Sequence, residues 1–287
     1  MSRYLHTLLK AIDLQVRSGL ANPEIKNLSC DSREIEKGDL FLGLDGEKVD
    51  GGTYWKKAIE RGACAAIISK EASLLNPPTN EDPVVIVPDP VSLFMGKLAA
   101  DFWGKPSSET SLIGITGTNG KTTTSFLIEF LTTSLGHPSA LFGTLINRWP
   151  NHEETSKYTT TFAVPLQAQL RKAVQAGVKY AAMEVSSHAL SQNRVAGCDF
   201  SGAIFTNLSR DHLDYHDSME SYFEAKASLF RLHLIEDDCP RSVINIDDQW
   251  GAILAKELNK KCWTCSLKEN SQSRKKPDLY ISNLQIM

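Results

Sequence analysis

The residues best suited to chemistry form one short segment, Thr-Gly-Thr-Asn-Gly-Lys-Thr-Thr at positions 116–123. An apolar run at 112–116 predicts a strand before it, and helical spacing predicts a helix over 122–135 after it. A glycine-rich turn and a helix N-terminus bind anions through backbone N–H groups, a lysine reaches terminal phosphates, and a hydroxyl can ligate Mg²⁺. The segment therefore predicts a phosphate-binding loop. Its residues are Gly117, Thr118, Asn119, Gly120, Lys121, Thr122 and Thr123.

The loop departs from the strict pattern, in which a glycine and four further residues precede Gly-Lys and then Ser or Thr. That pattern needs a glycine at position 115, where the sequence has Ile115, and Gly114 stands one residue too early. The alternative is an ordinary glycine-containing turn beside an unrelated lysine. The order of strand, glycine turn, lysine and helix favours the phosphate site.

Glu184 lies near the end of a second apolar run, 181–185, which predicts another strand. In an open α/β sheet, ligands bind outside the carboxyl ends of the strands, so a carboxylate there would reach a metal ion beside the phosphates. The alternative is a structural ion pair. Because a charged side chain is rarely buried without a partner, the position favours a functional role.

His212 and Lys226 carry weaker signals. His212 directly follows Asp211 and stands two residues before Asp214, and its neutral imidazole could ligate a metal ion. A structural histidine is the alternative. Lys226 lies inside a predicted helix, and its composition alone indicates a lysine on a solvated face.

Strands and helices alternate along the chain, which predicts an α/β fold with a mostly parallel sheet and helices on both faces. The polar segment 104–108 is the best linker candidate. We therefore predict a small N-terminal α/β domain at 1–107 and a P-loop-type central domain at 108–287. Asp217 and Glu220 predict a capping box for the last helix. Strands are predicted at 40–44, 65–69, 84–87, 112–116, 181–185, 203–206 and 243–246, and helices at 54–61, 91–103, 122–135, 166–176 and 219–232.

The composition is that of a globular protein without a strong charge. Of 287 residues, 41% are hydrophobic and 23% are charged, and a net charge of −3 excludes a global field that attracts nucleic acid. One Cys-x-x-Cys occurs at 262–265, without the further ligands that a zinc site needs. No secretion signal is visible and no window reaches about 18 apolar residues, so we expect a cytoplasmic protein without a membrane span.

Two longer segments resemble one enzyme family. Met-Glu-Val-Ser-Ser-His-Ala-Leu at 183–190 and Asn-Leu-Ser-Arg-Asp-His-Leu-Asp-Tyr-His at 207–216 are similar to signatures of the Mur ligases, in particular of the MurE branch. The phosphate loop is similar to the ATP loop of that family. Cys-Asp-Ser-Arg at 30–33, followed by Gly-Asp-Leu-Phe at 38–41, looks like its N-terminal uridine-nucleotide site. The resemblance runs from about residue 28 to residue 287.

The resemblance implies an ATP-dependent ligase of peptidoglycan precursor synthesis. Such an enzyme would join meso-diaminopimelate or L-lysine to the D-Glu of UDP-MurNAc-L-Ala-D-Glu through an acyl phosphate. The implied catalytic residues are Lys121, Glu184, His212 and Lys226. The implied Mg²⁺ ligands are Thr122, Glu184, His212 and a carbamylated Lys226. The implied UDP-MurNAc-peptide residues are Cys30, Ser32, Glu47, Lys48, Val49, Tyr158, Thr159, Thr160, Ser186, Gln192 and Arg194.

The chain also departs from the family pattern in two respects. MurE sequences often carry Thr-Thr-Pro-Glu at the peptide site, where this sequence continues from Thr160 to Thr161 and Phe162. A Gly-x-Phe-Asn-x-x-Asn motif and the Rossmann-like C-terminal domain are expected to be missing. The alternatives are a truncated, non-catalytic binder of UDP-MurNAc-peptide and ATP, or a related Mur or folylpolyglutamate-type ligase. We expect a monomer with no nucleic-acid partner.

Overall fold

The structure is a computed structural model that describes residues 3–44, 46, 49–235, 239–267 and 276–281. It confirms the α/β class with a mostly parallel sheet. The described residues form two compact units. The first holds the residues up to Pro106 together with 162–171 and 193–198, and the second holds the remainder. The predicted domain division between residues 107 and 108 stays a prediction.

The first unit is built on a parallel sheet. In chain order its elements are β1 (Arg3–Tyr4), α1 (Leu5–Ala11), β2 (Glu24–Ile25), β3 (Asn27–Ser29), β4 (Asp39–Leu42), α2 (Trp55–Arg61), β5 (Ala65–Ser69), α3 (Lys70–Leu75), β6 (Val84–Val87) and α4 (Val91–Phe102). Strands β3, β4, β5 and β6 pair in that order. All residues of β4 and β5 are buried, which is typical of a parallel sheet covered on both faces. Phe102 of α4 packs with the core on one face, and Trp55 of α2 packs on the other.

The second unit is built on a larger sheet, and α6 begins among the residues of the first unit. Its elements are β7 (Ser111–Thr116), α5 (Lys121–Ser134), β8 (Ser139–Phe142), β9 (Ile146–Trp149), β10 (His152–Thr155), α6 (Ala163–Gln175), β11 (Tyr180–Glu184), α7 (Ser187–Ser191), β12 (Gly202–Phe205), α8 (Met219–Leu232), β13 (Ser242–Asn245), α9 (Gln249–Leu258), β14 (Cys262–Ser266) and β15 (Leu279–Tyr280). The strand order is β10-β9-β8-β11-β7-β12-β13-β14-β15, and only the pairs that involve β9 are antiparallel.

The strand order brings distant parts of the chain to one edge of this sheet. Strand β11 pairs with β7 and β8, and Glu184 stands opposite Ile115. Strand β12 pairs with β7 on its other side, where Phe205 stands opposite Thr116. Ile115, Leu141 and Ala182 form a buried cluster that holds β7, β8 and β11 together. The loops that follow β7, β8, β11 and β12 therefore leave the sheet side by side.

Most predicted elements are confirmed, with ends that differ by up to three residues. The predicted capping box of α8 is wrong, because Ser218 caps the helix and exchanges hydrogen bonds with Ser221. The hairpin of β9 and β10 and the helix α9 were not predicted. The alternating run that begins at Leu279 forms β15 as far as Tyr280, and residues 282–287 lie outside the described residues. Among the helices that the structure describes, none is both long and apolar enough to span a membrane.

Candidate functional site

The loop between β7 and α5 has a backbone that only glycine adopts easily at two positions. Gly117 has φ of +143° and Gly120 has φ of +87°. A Cβ atom at Gly117 would lie 2.0 Å from Oγ1 of Thr206, so the backbone approaches the end of β12 directly. The two glycines turn the chain into α5, which begins at Lys121. The N-terminus of this helix therefore faces the loop, as the phosphate prediction requires.

Residues after β12 hold the loop in place. Asn207 accepts two hydrogen bonds from the loop. Its backbone carbonyl accepts from the Thr118 N–H at 2.9 Å, and its side-chain Oδ1 accepts from the Asn119 N–H at 3.0 Å. The hydroxyl of Thr206 donates to the carbonyl of Asn119 at 2.7 Å. Sequence reasoning missed Thr206 and Asn207, although their position at the carboxyl end of a strand was a usable signal.

Glu184 is fully buried at the end of β11. Its Oε2 accepts hydrogen bonds from the hydroxyls of Thr122 and Thr144, and its Oε1 accepts one from the Thr144 N–H, each at 2.9 Å. Among the residues that the structure describes, this carboxylate forms no ion pair within 4 Å, and its direct polar contacts are hydrogen bonds. Sequence reasoning missed Thr144. This residue lies just after the carboxyl end of β8, and Glu184 lies at the carboxyl end of the neighbouring strand β11.

Two lysines meet at the carbonyl of Gly117. Lys121 Nζ donates to it at 2.9 Å and to the carbonyl of Thr118 at 2.9 Å, and Lys226 Nζ donates to it at 2.9 Å. Burial lowers the pKa of Lys121, an effect that Glu184 and Asp211 partly offset. Burial and the nearby charge of Lys121 lower the pKa of Lys226 to about 7. The interpretation of Lys226 as a solvated helical lysine is wrong, because the residue is 1% exposed.

His212 contacts other residues than those that surround Glu184. Its Nε2 is 3.6 Å from the Asp211 carboxylate, and its ring stands edge-on to His188 at 4.9 Å. No hydrogen bond or ion pair of the described residues joins it to Glu184 or Thr122. Across the part of the chain that the structure describes, no three His, Cys, Asp or Glu side chains are grouped to hold a metal ion. Thr122 and Glu184 are thus brought together, whereas the ligand role of His212 stays a prediction.

Three of the predicted peptide-binding residues in the second unit, Thr159, Thr160 and Ser186, lie near the Glu184 strand end. The hydroxyl of Thr160 donates to the carbonyl of Glu184 at 2.9 Å and accepts from the Ser186 N–H at 3.1 Å. Thr159 accepts from the hydroxyl of Thr144 at 3.2 Å. Gln192 donates to the hydroxyl of Tyr215 at 3.3 Å. Of the same predicted set, Tyr158 is half-exposed.

The other predicted peptide-binding residues belong to the first unit. Burial raises the pKa of the Cys30 thiol to about 12, so this residue is an uncharged thiol. Ser32 lies in the turn after β3, and Val49 is 52% exposed. The guanidinium of Arg194 lies 4.1 Å from the centre of the Phe162 ring. Glu47 and Lys48, which were predicted with them, lie outside the described residues.

Comparison with known proteins agrees with this arrangement. The profile described as the Mur ligase middle domain matches residues 115–285, and the one described as the Mur ligase family catalytic domain matches residues 24–103. The chain is 93% identical over 287 residues to a UDP-N-acetylmuramoyl-L-alanyl-D-glutamate–2,6-diaminopimelate ligase of Prochlorococcus marinus strain NATL1A. That match covers 100% of this chain and 56% of the relative.

Solved structures show the same likeness. The structure of a UDP-N-acetylmuramoyl-L-alanyl-D-glutamate–2,6-diaminopimelate ligase matches with a TM-score of 0.80 and 32% identity, over 99% of this chain and 55% of that one. The MurF ligase of Thermotoga maritima in complex with ADP shares the fold, with a TM-score of 0.54 and 22% identity over 84% and 50% of the two chains. The chain spans about half the length of these proteins. Since the middle-domain profile alone covers more than half of the chain, and the predicted resemblance is confirmed, the chain belongs to the Mur ligase family.

Proposed function

We propose that this chain binds ATP and UDP-MurNAc-L-Ala-D-Glu as part of an ATP-dependent ligase that adds 2,6-diaminopimelate to the D-Glu carboxylate. The observation that carries the proposal is the meeting of Lys121, Thr122 and Glu184 around a glycine loop at the N-terminus of α5. The names of relatives that share up to 93% of the sequence support this reaction over other ligations.

ATP would bind with its phosphates against the loop. The backbone N–H groups after Gly117 and the dipole of α5 favour negative charge there. Lys121 now donates to two loop carbonyls, and it can turn its ammonium group to the terminal phosphates when they arrive. The Thermotoga maritima MurF, which shares the fold, was solved in complex with ADP, and this supports nucleotide binding.

The residues present fit a Mg²⁺ ion beside the phosphates. Mg²⁺ prefers oxygen ligands, and it commonly takes one or two protein ligands together with phosphate oxygens and water. Glu184 offers a buried carboxylate that forms no ion pair with any residue the structure describes, and the Thr122 hydroxyl lies 2.9 Å from its Oε2. When bound, the ion would neutralise charge on the transferring phosphoryl group. His212 would be a further ligand only after its side chain leaves Asp211.

Lys226 fits the proposed carbamylation. A neutral amine attacks CO₂, forming an N–C bond and releasing a proton, and yields an anionic carbamate. Because its pKa is about 7, a large fraction of Lys226 is neutral at neutral pH, whereas an ordinary lysine is almost fully protonated. The product would replace a buried positive charge, 2.9 Å from the Gly117 carbonyl, by a negative one suited to a metal ion or a positioned donor.

The proposed reaction has two steps. The D-Glu carboxylate takes the γ-phosphoryl group of ATP, which releases ADP and gives an acyl phosphate with phosphate as a good leaving group. The neutral amine of diaminopimelate then attacks the acyl carbon, the C–O bond to phosphate breaks, and the amide forms with loss of a proton from the nitrogen. Lys121 would stabilise charge on the phosphoryl group, while Thr159, Thr160 and Ser186, at the Glu184 strand end, would hold the muramoyl peptide.

Calorimetric titration of the purified chain tests the proposal. We expect it to bind MgATP and UDP-MurNAc-L-Ala-D-Glu, but not UDP-glucose with comparable affinity. Phosphate release is then measured with both ligands present, with and without meso-diaminopimelate, and L-lysine serves as the competing amine. Failure to bind MgATP and UDP-MurNAc-L-Ala-D-Glu would reject the function, and release that depends on L-lysine alone would reject the proposed amine.

A second candidate function is binding of both ligands without turnover. The chain matches 56% of the length of the relative from Prochlorococcus marinus NATL1A. Binding of both ligands without diaminopimelate-dependent phosphate release would support this second function. Sustained release would reject it.

A further inference from the structure

His216 is a buried histidine that has no task in the proposed reaction. It lies between β12 and α8 and is 6% exposed. Its backbone N–H donates to the carbonyl of His212 at 2.9 Å. Its side-chain Nε2 is covered and has no hydrogen-bond partner among the residues that the structure describes. Buried polar atoms are nearly always hydrogen-bonded, so an unpaired Nε2 requires an explanation.

Aromatic rings surround this imidazole. The ring centre of His216 lies 5.0 Å from Tyr222, 4.9 Å from Tyr215 and 5.7 Å from His188. Tyr222 is fully buried, and its hydroxyl lies 3.3 Å from Oγ1 of Thr118, so its polar group hydrogen-bonds to the phosphate loop. The rings pack against His216 without pairing its Nε2.

Lys226 shares the Tyr222 ring with His216. Its Nζ lies 4.6 Å from the centre of that ring. Burial lowers the pKa of His216, and the charges of His188, Lys226 and His212 lower it further, against the opposing effect of Asp214. An imidazole carries at least one N–H group in either protonation state, and that group can stand on Nε2. Lys226 acts on His216 through space, and no hydrogen bond joins them.

Carbamylation of Lys226 would supply the acceptor that Nε2 does not have. The new N–C bond adds a carboxylate with two acceptor oxygens at a residue that is 1% exposed. A buried carboxylate requires donors, because its transfer out of water is otherwise costly. The Nζ–H can keep its bond to Gly117, and the added oxygens would lie near the Tyr222 ring, which His216 also contacts.

We propose that the Nε2–H of His216 donates a hydrogen bond to the carbamate formed on Lys226 and so positions it. The inference rests on the carbamylation that the proposed function includes. It makes His216 a positioning residue, which acts on the reaction through the orientation and stability of the modified lysine.

The test is the affinity of Lys226 for CO₂, measured without any turnover. The chain and its variants are titrated with ¹³C-labelled bicarbonate at fixed pH, and the carbamate is followed by ¹³C NMR. Lys226→Ala identifies the signal. His216→Gln and His216→Met have similar length and volume, but only glutamine carries an N–H donor. We expect CO₂ affinity to fall about tenfold in His216→Met and to stay within about threefold in His216→Gln, as loss of one hydrogen bond to a charged group predicts.

Two results would overturn the inference, and a control separates it from a packing effect. Equal affinity in the parent chain and His216→Met, or equal loss in both variants, would show that the donor is irrelevant. His152→Met, on β10, should leave the CO₂ affinity unchanged, and thermal midpoints of all variants report the packing cost. A parent chain without a Lys226-dependent signal would overturn both this inference and the carbamate, whereas ATP titration of the same sample decides the rest of the proposed function.

Discussion

Lys121 and Lys226 donate hydrogen bonds to the same carbonyl oxygen, that of Gly117, each at 2.9 Å. Two ammonium groups on one acceptor repel each other, and burial disfavours both charges. The structure therefore holds a strained arrangement of charge at the loop where phosphates are proposed to bind. An anion from the ligand, or the conversion of one amine into an anion, would relieve it.

Lys121→Ala should weaken ATP binding by about 10- to 100-fold, since a hydrogen bond to a charged group contributes about 1.5–3 kcal/mol. Lys256→Ala, on the exposed surface of α9, is the control and should bind as the parent chain does. Calorimetric titration with MgATP measures the difference. An ATP affinity that is unchanged in Lys121→Ala would remove the phosphate loop from the proposed function.

The pKa of Lys226 predicts a pH dependence of stability. The pKa of Lys226 is about 7 in the folded chain and has its ordinary value of 10.5 in the unfolded chain, so between these values the unfolded chain binds a proton that the folded chain has lost. The free energy of unfolding should therefore rise with pH over this window, by at most about 1.4 kcal/mol per pH unit. Below about pH 7 Lys226 is protonated in both the folded and the unfolded chain, so it adds no pH dependence to the free energy of unfolding there.

Urea unfolding of the parent chain and of Lys226→Met, at about pH 7 and about pH 8.5 in CO₂-free buffer, checks the sign. The measurements stop at about pH 8.5 because of Cys30. Burial raises the pKa of its thiol from 9.0 to about 12, so at higher pH this group makes the free energy of unfolding fall as pH rises. The parent chain should gain more stability over this range than Lys226→Met. Equal gains would contradict the depressed pKa.

Glu184→Gln should keep the fold and lose the effect of Mg²⁺ on ATP affinity. Glutamine can still accept from the Thr144 N–H, and the hydroxyls of Thr122 and Thr144 can rotate to accept from its amide. The loss of the carboxylate charge should lower the Mg²⁺-dependent gain by at least about tenfold. ATP titrations with and without Mg²⁺ measure that gain, and Glu153→Gln on the exposed part of β10 is the control. Retention of the full Mg²⁺ effect would exclude Glu184 as a ligand.

Gly117→Ala should abolish ATP binding, because its Cβ would lie 2.0 Å from Oγ1 of Thr206 and the loop would have to move. Gly136→Ala separates this clash from backbone strain. Gly136 also has a positive φ, of +82°, but a Cβ there meets nothing within 4 Å. We expect Gly136→Ala to cost about 1–2 kcal/mol in urea unfolding without a change in ATP affinity. Equal ATP affinities of the two variants would show that the close approach at Gly117 is unimportant.

The contiguous part of the site could be predicted from the sequence. Strand β7, the glycine turn and α5 follow one another within 111–134, so their spacing alone indicates a phosphate loop. Long-range contacts could not be predicted this way. Alternating strands and helices do not specify that β11 lies between β7 and β8, and that order brings Thr144 to Glu184.

Lys226 shows a different limit of sequence reasoning. Charged side chains are seldom buried, so its composition and helical spacing indicate a solvated position. The structure buries it because α8 faces the phosphate loop, and the resemblance to the Mur ligases was its only functional signal. His216 lies in a segment that carried this resemblance, yet its unpaired nitrogen became visible only with the packing of the rings around it.

The bond from Lys226 to Gly117 spans 109 positions of the chain, which affects how the protein emerges from the ribosome. At about 5–20 residues per second, roughly 5–20 s pass between synthesis of the loop and synthesis of its anchoring lysine. Throughout that interval the Gly117 carbonyl can accept from Lys121 but not from Lys226. Cellular ATP therefore cannot stabilise the growing polypeptide through the complete site until helix α8 has left the exit tunnel.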